Sequence, residues 1–135
     1  MKKIYRFSII IPIFNPGDEF KKCINSIEKS INFFSIKKKL IYEILLINDG
    51  GKKIDLNFKI NLKNKKQLRL KKNKGVGFAR NFGAQKAKYE NLFFVDSDLI
   101  VKKNFFLILF RDYEKLKNVG SIGPIQNYIN LNKAI

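Results

Sequence analysis

The sequence predicts an α/β fold, a mostly parallel sheet covered by helices on both faces. Three observations carry this expectation: short β-branched runs alternate with segments of helical periodicity, a polar or glycine-rich turn stops each run, and no internal repeat breaks the alternation. Right-handed crossovers between such strands bring their carboxyl ends to one edge.

The elements follow in order. Ser8 to Phe14 is a β-branched run closed by Asn15, the pattern of a strand buried on both faces. Phe20, Ile24, Ile27, Ile31 and Phe34 then recur at helical spacing, with Lys21, Lys22, Glu28 and Lys29 on the other side and Asp18 placed to cap the start. Tyr42 to Ile47 is a second buried strand, stopped by Asn48-Asp49-Gly50-Gly51. Residues 52–66 show weak periodicity and read as a mobile excursion, and Gln67 to Leu70 forms a short third strand. Gly75-Val76-Gly77 opens a helix from Phe78 to Ala87, and Leu92 to Val95 is a further strand ending at Asp96-Ser97-Asp98. The span from Asn104 to Lys117 reads as an apolar helix with Phe105, Leu109 and Leu116 turned inward, and Ser121 to Ile125 as a last strand.

Length and composition bound the function. A chain of 135 residues makes one domain rather than two. The net charge of +17 invites a nucleic-acid or anionic-membrane reading, yet only four of the 28 basic residues are arginine. Arginine is favoured for planar recognition of phosphates and bases, so a lysine excess argues against a dedicated nucleic-acid reader and for a solvated surface. Peripheral attachment to an anionic membrane, or an acidic substrate, is the secondary expectation. A single cysteine, Cys23, excludes an internal disulfide and suits a reducing, cytoplasmic setting. The absence of histidine removes Ser-His and Cys-His catalysis and leaves any metal to oxygen ligands. The basic amino terminus precedes a run holding Ser8 and Pro12, which reads as a strand rather than a signal peptide.

Polar residues collect after the strands. Asn15, Asn48-Asp49 and Asp96-Ser97-Asp98 each follow an apolar run, so a parallel sheet brings them to one edge, where open α/β sheets bind ligands. Asp96 and Asp98, two apart on an extended chain, turn their carboxylates to the same side and suit Mg²⁺ or Mn²⁺ completed by substrate phosphates and water. Taken alone, the pair equally suits a turn cap. Gly75, Gly77 and Gly83 surround Arg80 near a helix start, a place for an anion, although a packing role for the glycines explains the pattern as well. Asp49 has the chemistry to accept hydrogen bonds from a base or ribose, and its Asn-Asp-Gly-Gly context is also that of a plain turn.

Together these segments resemble the family-two group of inverting GT-A glycosyltransferases. Ser8-Ile9-Ile10-Ile11-Pro12-Ile13-Phe14-Asn15 matches the first strand and loop of that family, and Tyr42 through Gly51 its second strand and turn. Asn73-Lys74-Gly75-Val76-Gly77-Phe78-Ala79-Arg80-Asn81-Phe82-Gly83 looks like its Asn-x-Gly and Ala-Arg-Asn-x-Gly segment, and Phe94-Val95-Asp96-Ser97-Asp98 like its DxD metal motif. Two departures stand out: Asn48-Asp49 replaces the usual pair of aspartates, and Gly51 the usual serine.

The resemblance implies a Rossmann-like GT-A nucleotide-diphospho-sugar transferase fold, a nucleotide-sugar donor, and a glycan, lipid or protein acceptor. It implies that Pro12 and Asn15 border the nucleotide pocket, that Asp49 contacts the base, that Arg80 lies near the base or the phosphates, and that Asp96 and Asp98 serve ribose, diphosphate and metal. A catalytic base and most of the acceptor site are expected beyond Ile135, so residues 1–135 are read as a single, incomplete donor-binding domain. A donor-binding module without transfer is the alternative, with Tyr128, Ile129, Leu131 and Ile135 as an apolar edge open to a second copy. A basic nucleic-acid binder is the third.

Overall fold

Strand β1 (Ile4–Ile13) runs through the middle of a four-stranded, all-parallel sheet, in a computed structural model that describes residues 3–56, 64–116 and 120–121. Around it the chain adds α1 (Glu19–Lys37), β2 (Lys39–Asn48), β3 (Lys65–Arg69), α2 (Val76–Lys86), β4 (Leu92–Phe94) and α3 (Phe105–Lys115), with strand order β3-β2-β1-β4. β1 pairs with β2 over its whole length, Ile4 opposite Lys39 and Ile13 opposite Asn48, and with β4 from Ser8 to Ile10. It is buried without a break from Phe7 to Ile13, as a strand covered on both faces must be.

Alternation along the strands sorts the core into two layers. Phe7, Ile9, Ile11 and Ile13 of β1 join Ile44 and Leu46 of β2 under α1 and α3, whereas Ile10, Leu45 and Ile47 face Ala79 of α2. α1 meets the first layer through Phe20, Ile24, Ile27, Ile31 and Phe34, the helical stripe read from the sequence. α2 sits close on the second layer because Gly83 has no side chain: a β-carbon there would lie 2.5 Å from Ile10 Cγ2 and 3.1 Å from Ile47 Cγ1.

Pro12 occupies the interior of a central strand, a position that ordinarily loses a ladder bond. Here it does not. Ser8 donates its N–H to Asn91 O and Ile10 O accepts from Val95 N–H, so the even residues of β1 direct their backbone groups toward β4. Pro12 is the next even residue, and it lies past the end of that pairing.

Several sequence-based expectations shift. α3 buries Phe106 and Phe110; Phe105 is half-buried and Leu116 is exposed, so its inward face is rotated by one residue from the expected Phe105, Leu109 and Leu116. Phe106 stacks on Phe7 and Phe110 meets it tilted, with ring centroids 5.4 and 5.3 Å away, and aromatic contact of this kind fixes the helix rotation. Asp18 stands before α1 in helical conformation and makes no side-chain cap bond; its carbonyl accepts from Lys21 N–H instead. The segment expected to be mobile is tied down in the part that is described, where the Gln67 side-chain amide bonds both the N–H and the carbonyl of Ile54. Residues 57–63 of it, and residues 122–125 of the expected last strand, lie outside the described residues.

The segment between β4 and α3 is held by a polar stripe on α1. Cys23 Sγ donates to Asp96 O at 3.4 Å, Ser26 Oγ accepts from Val101 N–H at 3.0 Å, and Ser30 Oγ accepts from Phe106 N–H at 3.3 Å. At the other end of the sheet, Glu43 Oε1 accepts from Ser8 Oγ and from Lys88 N–H, and Ser8 Oγ accepts from Tyr89 N–H, which sets where β4 begins. Burial pushes the Cys23 thiol up to about 12, with the carboxylates of Asp98 and then Asp96 adding to the rise.

Two measurements check this arrangement. Phe106→Ala should lower the free energy of urea unfolding by about 3–5 kcal/mol, as a buried aromatic does, and Phe105→Ala by less than half as much; equal costs would refute the rotation of α3. The folded thiol resists ionisation, so the unfolded chain sheds that proton first as pH climbs from the ordinary value of 9.0 toward about 12. Stability should therefore fall across this window less steeply in Cys23→Ala than in the parent, and a thiol reagent at pH 8 should modify Cys23 only after unfolding.

Candidate functional site

Parallel pairing brings the ends of β1, β2 and β4 to one edge, and the turns that follow them are pressed together. Asn15 adopts a φ of 42° after β1, and its Oδ1 accepts from Lys52 N–H at 2.9 Å. Asn48 closes the turn after β2: its Oδ1 accepts from Gly51 N–H at 2.9 Å and its Nδ2 donates to Lys52 O at 2.8 Å. Gly50 has a φ of 79°, and a β-carbon there would come 2.2 Å from the Lys72 carbonyl carbon, so glycine is required by both conformation and space. A β-carbon on Gly51 would lie 2.7 Å from Asn15 Oδ1, and Gly51 O accepts from Arg69 Nε at 3.1 Å.

Asp49 sits beneath this edge, 4% exposed. One of its carboxylate oxygens accepts from Lys74 N–H at 2.8 Å and the other from Gly75 N–H at 2.9 Å. Gly75, with a φ of 90°, is the residue that opens α2, so a buried carboxylate at the end of β2 anchors the start of that helix. Arg80 follows on α2, and its Nη2 donates to Asp96 Oδ1 at 2.5 Å. A continuous path of contacts thus runs from Asp49 through Gly75 and α2 to Arg80 and Asp96. The Arg80 Nε is buried and has no acceptor among the described residues.

Asp96 and Asp98 lie in one loop whose geometry differs from the one expected. β4 ends at Phe94, and Asp96 O accepts from Leu99 N–H at 3.1 Å, so Asp98 lies inside a tight turn and not on an extended chain. Both carboxylates act on the thiol of Cys23 below. Among the described residues no three His, Cys, Asp or Glu side chains cluster to hold a metal. Two carboxylates on a turn suit Mg²⁺ or Mn²⁺ only where a bound substrate supplies further oxygens, which is the usual coordination of these ions on phosphates.

Of the residues singled out from sequence, Asn15, Asp49, Arg80, Asp96 and Asp98 all belong to this edge. Pro12 is buried within β1, opposite Ile47, and offers packing rather than a polar group. Asp112 and Glu114 lie on α3; Glu114 Oε1 accepts from Lys3 Nζ and from Tyr5 Oη at the amino end of β1. Those two donors hold the Glu114 carboxyl below its ordinary value. A groove of about 400 Å³ opens there, lined by Lys3, Arg6, Tyr89, Asn91, Tyr113 and Glu114, on the opposite edge from the convergent loops. None of Asn15, Asp49, Arg80, Asp96 and Asp98 lines this groove.

Sequence reasoning missed the amides of Lys74 and Gly75 as the partners of Asp49, and the Cys23-Ser26-Ser30 stripe beneath the Asp96 turn. The stripe has helical spacing, but small polar residues on an apolar helix face name no partner by themselves.

Comparison with known proteins identifies the family. The model of the family described as Glycosyl transferase family 2 matches residues 8–134. The chain is 30% identical over 126 residues to Glycosyltransferase GlyG of Streptococcus pneumoniae, covering 90% of this chain and 39% of that protein. It is 33% identical over 124 residues to poly(ribitol-phosphate) beta-N-acetylglucosaminyltransferase TarP of Staphylococcus aureus, covering 89% of this chain and 33% of that one. The uncharacterized glycosyltransferase YibD of Escherichia coli is 32% identical over 101 residues, 73% of this chain and 27% of YibD. The chain therefore spans roughly a third of the length of the curated relatives it matches. Among solved structures, S. aureus TarS 1-349 superposes with a TM-score of 0.62 at 24% identity, covering 90% of this chain and 38% of that one, which supports the GT-A fold. On the match over residues 8–134, the chain belongs to glycosyl transferase family 2.

Proposed function

We propose that the chain binds the donor in an enzyme that moves a sugar from a nucleotide diphosphate to an acceptor hydroxyl, with inversion at the anomeric carbon. The observation that carries this reading is the contact path from Asp49 to Asp96. It gathers at one edge a buried acceptor, the first turn of a helix, a guanidinium and the Asp96 carboxylate, with Asp98 in the same turn as Asp96. Each suits one part of a nucleotide diphosphate sugar.

In this reading the acceptor oxygen attacks the anomeric carbon from the face opposite the leaving group. The bond to the diphosphate breaks, and its electron pair stays on the phosphate oxygen. Mg²⁺ or Mn²⁺ held by Asp96 and Asp98 would supply Lewis-acid neutralisation of that charge. Arg80 offers forked donors to the same phosphates, and the free N–H groups at the start of α2 favour an anion nearby. Asp49 fixes the loop that faces the nucleotide and keeps lone pairs for a base N–H, since each of its oxygens has accepted only one bond. The acceptor proton passes to a carboxylate base that the family resemblance leads us to expect beyond Ile135. A cytoplasmic setting, with the lysine-rich surface near an anionic membrane or acceptor, suits the same reading.

Asp112 and Glu114, the acidic residues that follow the Asp96 turn in the sequence, are the candidates for a base within the chain, and their placement favours a second reading, a module that binds donor without transfer. Both lie away from the convergent edge, and Glu114 is engaged by Lys3 and Tyr5. Release of nucleoside diphosphate that depends on an acceptor supports transfer; donor binding with no release supports the module.

Calorimetry with UDP-, GDP- and dTDP-sugars, with and without Mn²⁺, tests the donor site directly. Asp98→Ala should keep the parent melting temperature and lose Mn²⁺-dependent binding; undiminished binding would remove the metal assignment. Asp49→Ala leaves two backbone N–H groups without their acceptor, and should cost about 1–3 kcal/mol of stability together with a loss of donor affinity. Donor affinity equal to that of the parent would separate Asp49 from the site.

A further inference from the structure

The pairing of Arg80 with Asp96 has a consequence for the order in which ligands arrive. Nη2 of Arg80 donates to Asp96 Oδ1 at 2.5 Å while Nε stays buried without an acceptor. Asp98 makes no hydrogen bond or ion pair among the described residues. In the free chain one carboxylate of the pair is therefore engaged by a cation and the other is open.

We infer that Arg80 is a positioning residue that withholds Asp96 from a divalent cation until a diphosphate arrives, and then exchanges the carboxylate for the phosphates. This rests on the donor-binding reading above. The guanidinium opposes a dication in two ways: it occupies a lone pair of Oδ1, and it repels positive charge at short range. With no third protein ligand in reach among the described residues, a cation on Asp96 and Asp98 alone is poorly held.

A diphosphate reverses both effects. It presents paired oxygens that match the Nε and Nη fork of an arginine, so the buried N–H gains the acceptor it lacks. A buried donor without a partner is costly, and a ligand oxygen that meets it supplies an explanation for its survival. Once Arg80 turns to the phosphates, Asp96 Oδ1 is released and the phosphates add ligands of their own. Cation and diphosphate then raise each other's affinity, and the coupling is reciprocal by linkage.

The test measures Mn²⁺ binding to the whole chain by calorimetry or by the loss of its free-ion paramagnetic resonance signal. Parent, Arg80→Gln and Arg80→Lys are compared with Mn²⁺ alone and with Mn²⁺ plus UDP, GDP or dTDP, after circular dichroism and melting show that each is folded. Arg80→Gln should bind Mn²⁺ alone roughly tenfold more tightly than the parent, the size of effect expected from removing a nearby half-exposed cation. It should also lose most of the enhancement by the diphosphate. Arg80→Lys keeps the charge without the fork, and should bind Mn²⁺ alone as weakly as the parent while losing the enhancement. A merely structural arginine would weaken both measurements together. If Arg80→Gln binds Mn²⁺ alone no better than the parent, while the parent still shows diphosphate-dependent Mn²⁺ binding, the exchange is wrong and the donor site stands. If the parent shows no such dependence with any diphosphate, both fall.

Discussion

Everything at the convergent edge depends on β1 being bonded on both sides. β2 flanks it along its full length and β4 along its middle, all in the same direction, so three chain segments distant in sequence end at a common rim. Burial enforces this arrangement. With Phe7, Ile9, Ile11 and Ile13 under α1 and α3 and with Ile10 under α2, a slip of one residue would exchange the two layers. The glycine at position 83 fits only one of them, because it is the even-numbered Ile10 that leaves no room for a β-carbon. Register, and with it the position of every loop at the rim, is thus fixed by packing far from the polar groups.

The polar groups then do a second kind of positioning. Asp49 is buried, and a buried carboxylate is tolerated because both oxygens accept backbone N–H groups. Those bonds join the end of β2 to the start of α2, which buries Ala79 and Gly83 against the sheet with Phe82 and Ala84 packed beside them. Arg80 is carried by the intervening turn of helix, so its distance from Asp96 is set from both ends: by Asp49 on the α2 side, and by the Cys23, Ser26 and Ser30 stripe that holds the chain after β4. The ion pair is a meeting of two supported segments rather than a chance contact of long side chains.

How much of this was legible in the sequence depends on what kind of pattern carried it. The strands and α1 were readable because their apolar residues are separated by polar ones or bounded by turns, so periodicity picks a face. α3 was not, because Phe105 through Phe110 are all apolar and no face is distinguished; the rings of Tyr5, Phe7, Phe34 and Phe93 against Phe106 and Phe110 decide it. The convergence of Asn15, Asp49 and Asp96 followed from topology, since any polar group after a parallel strand lies at the same edge. The links among these residues could not be read, because backbone N–H groups carry no residue identity. The alternation argument for Asp96 and Asp98 assumed an extended chain where the structure has a turn. The turn keeps the two residues in one loop at the end of β4.

The scarcity of arginine bears on the site more than on surface charge. Lysine supplies most of the +17, and the described lysines are largely exposed, where a hydrated point charge suffices. Arg69 and Arg80 do something lysine does badly. The first directs Nε at Gly51 O in the turn after β2, and the second directs Nη2 at Asp96 from the face of α2. Both are planar donors aimed at fixed oxygens on the rim, one bracing the Asn48 to Gly51 turn and the other engaging the Asp96 turn. In a chain where 24 of the 28 basic residues are lysine, two of the four arginines stand at this rim, each with its planar group directed at one fixed oxygen.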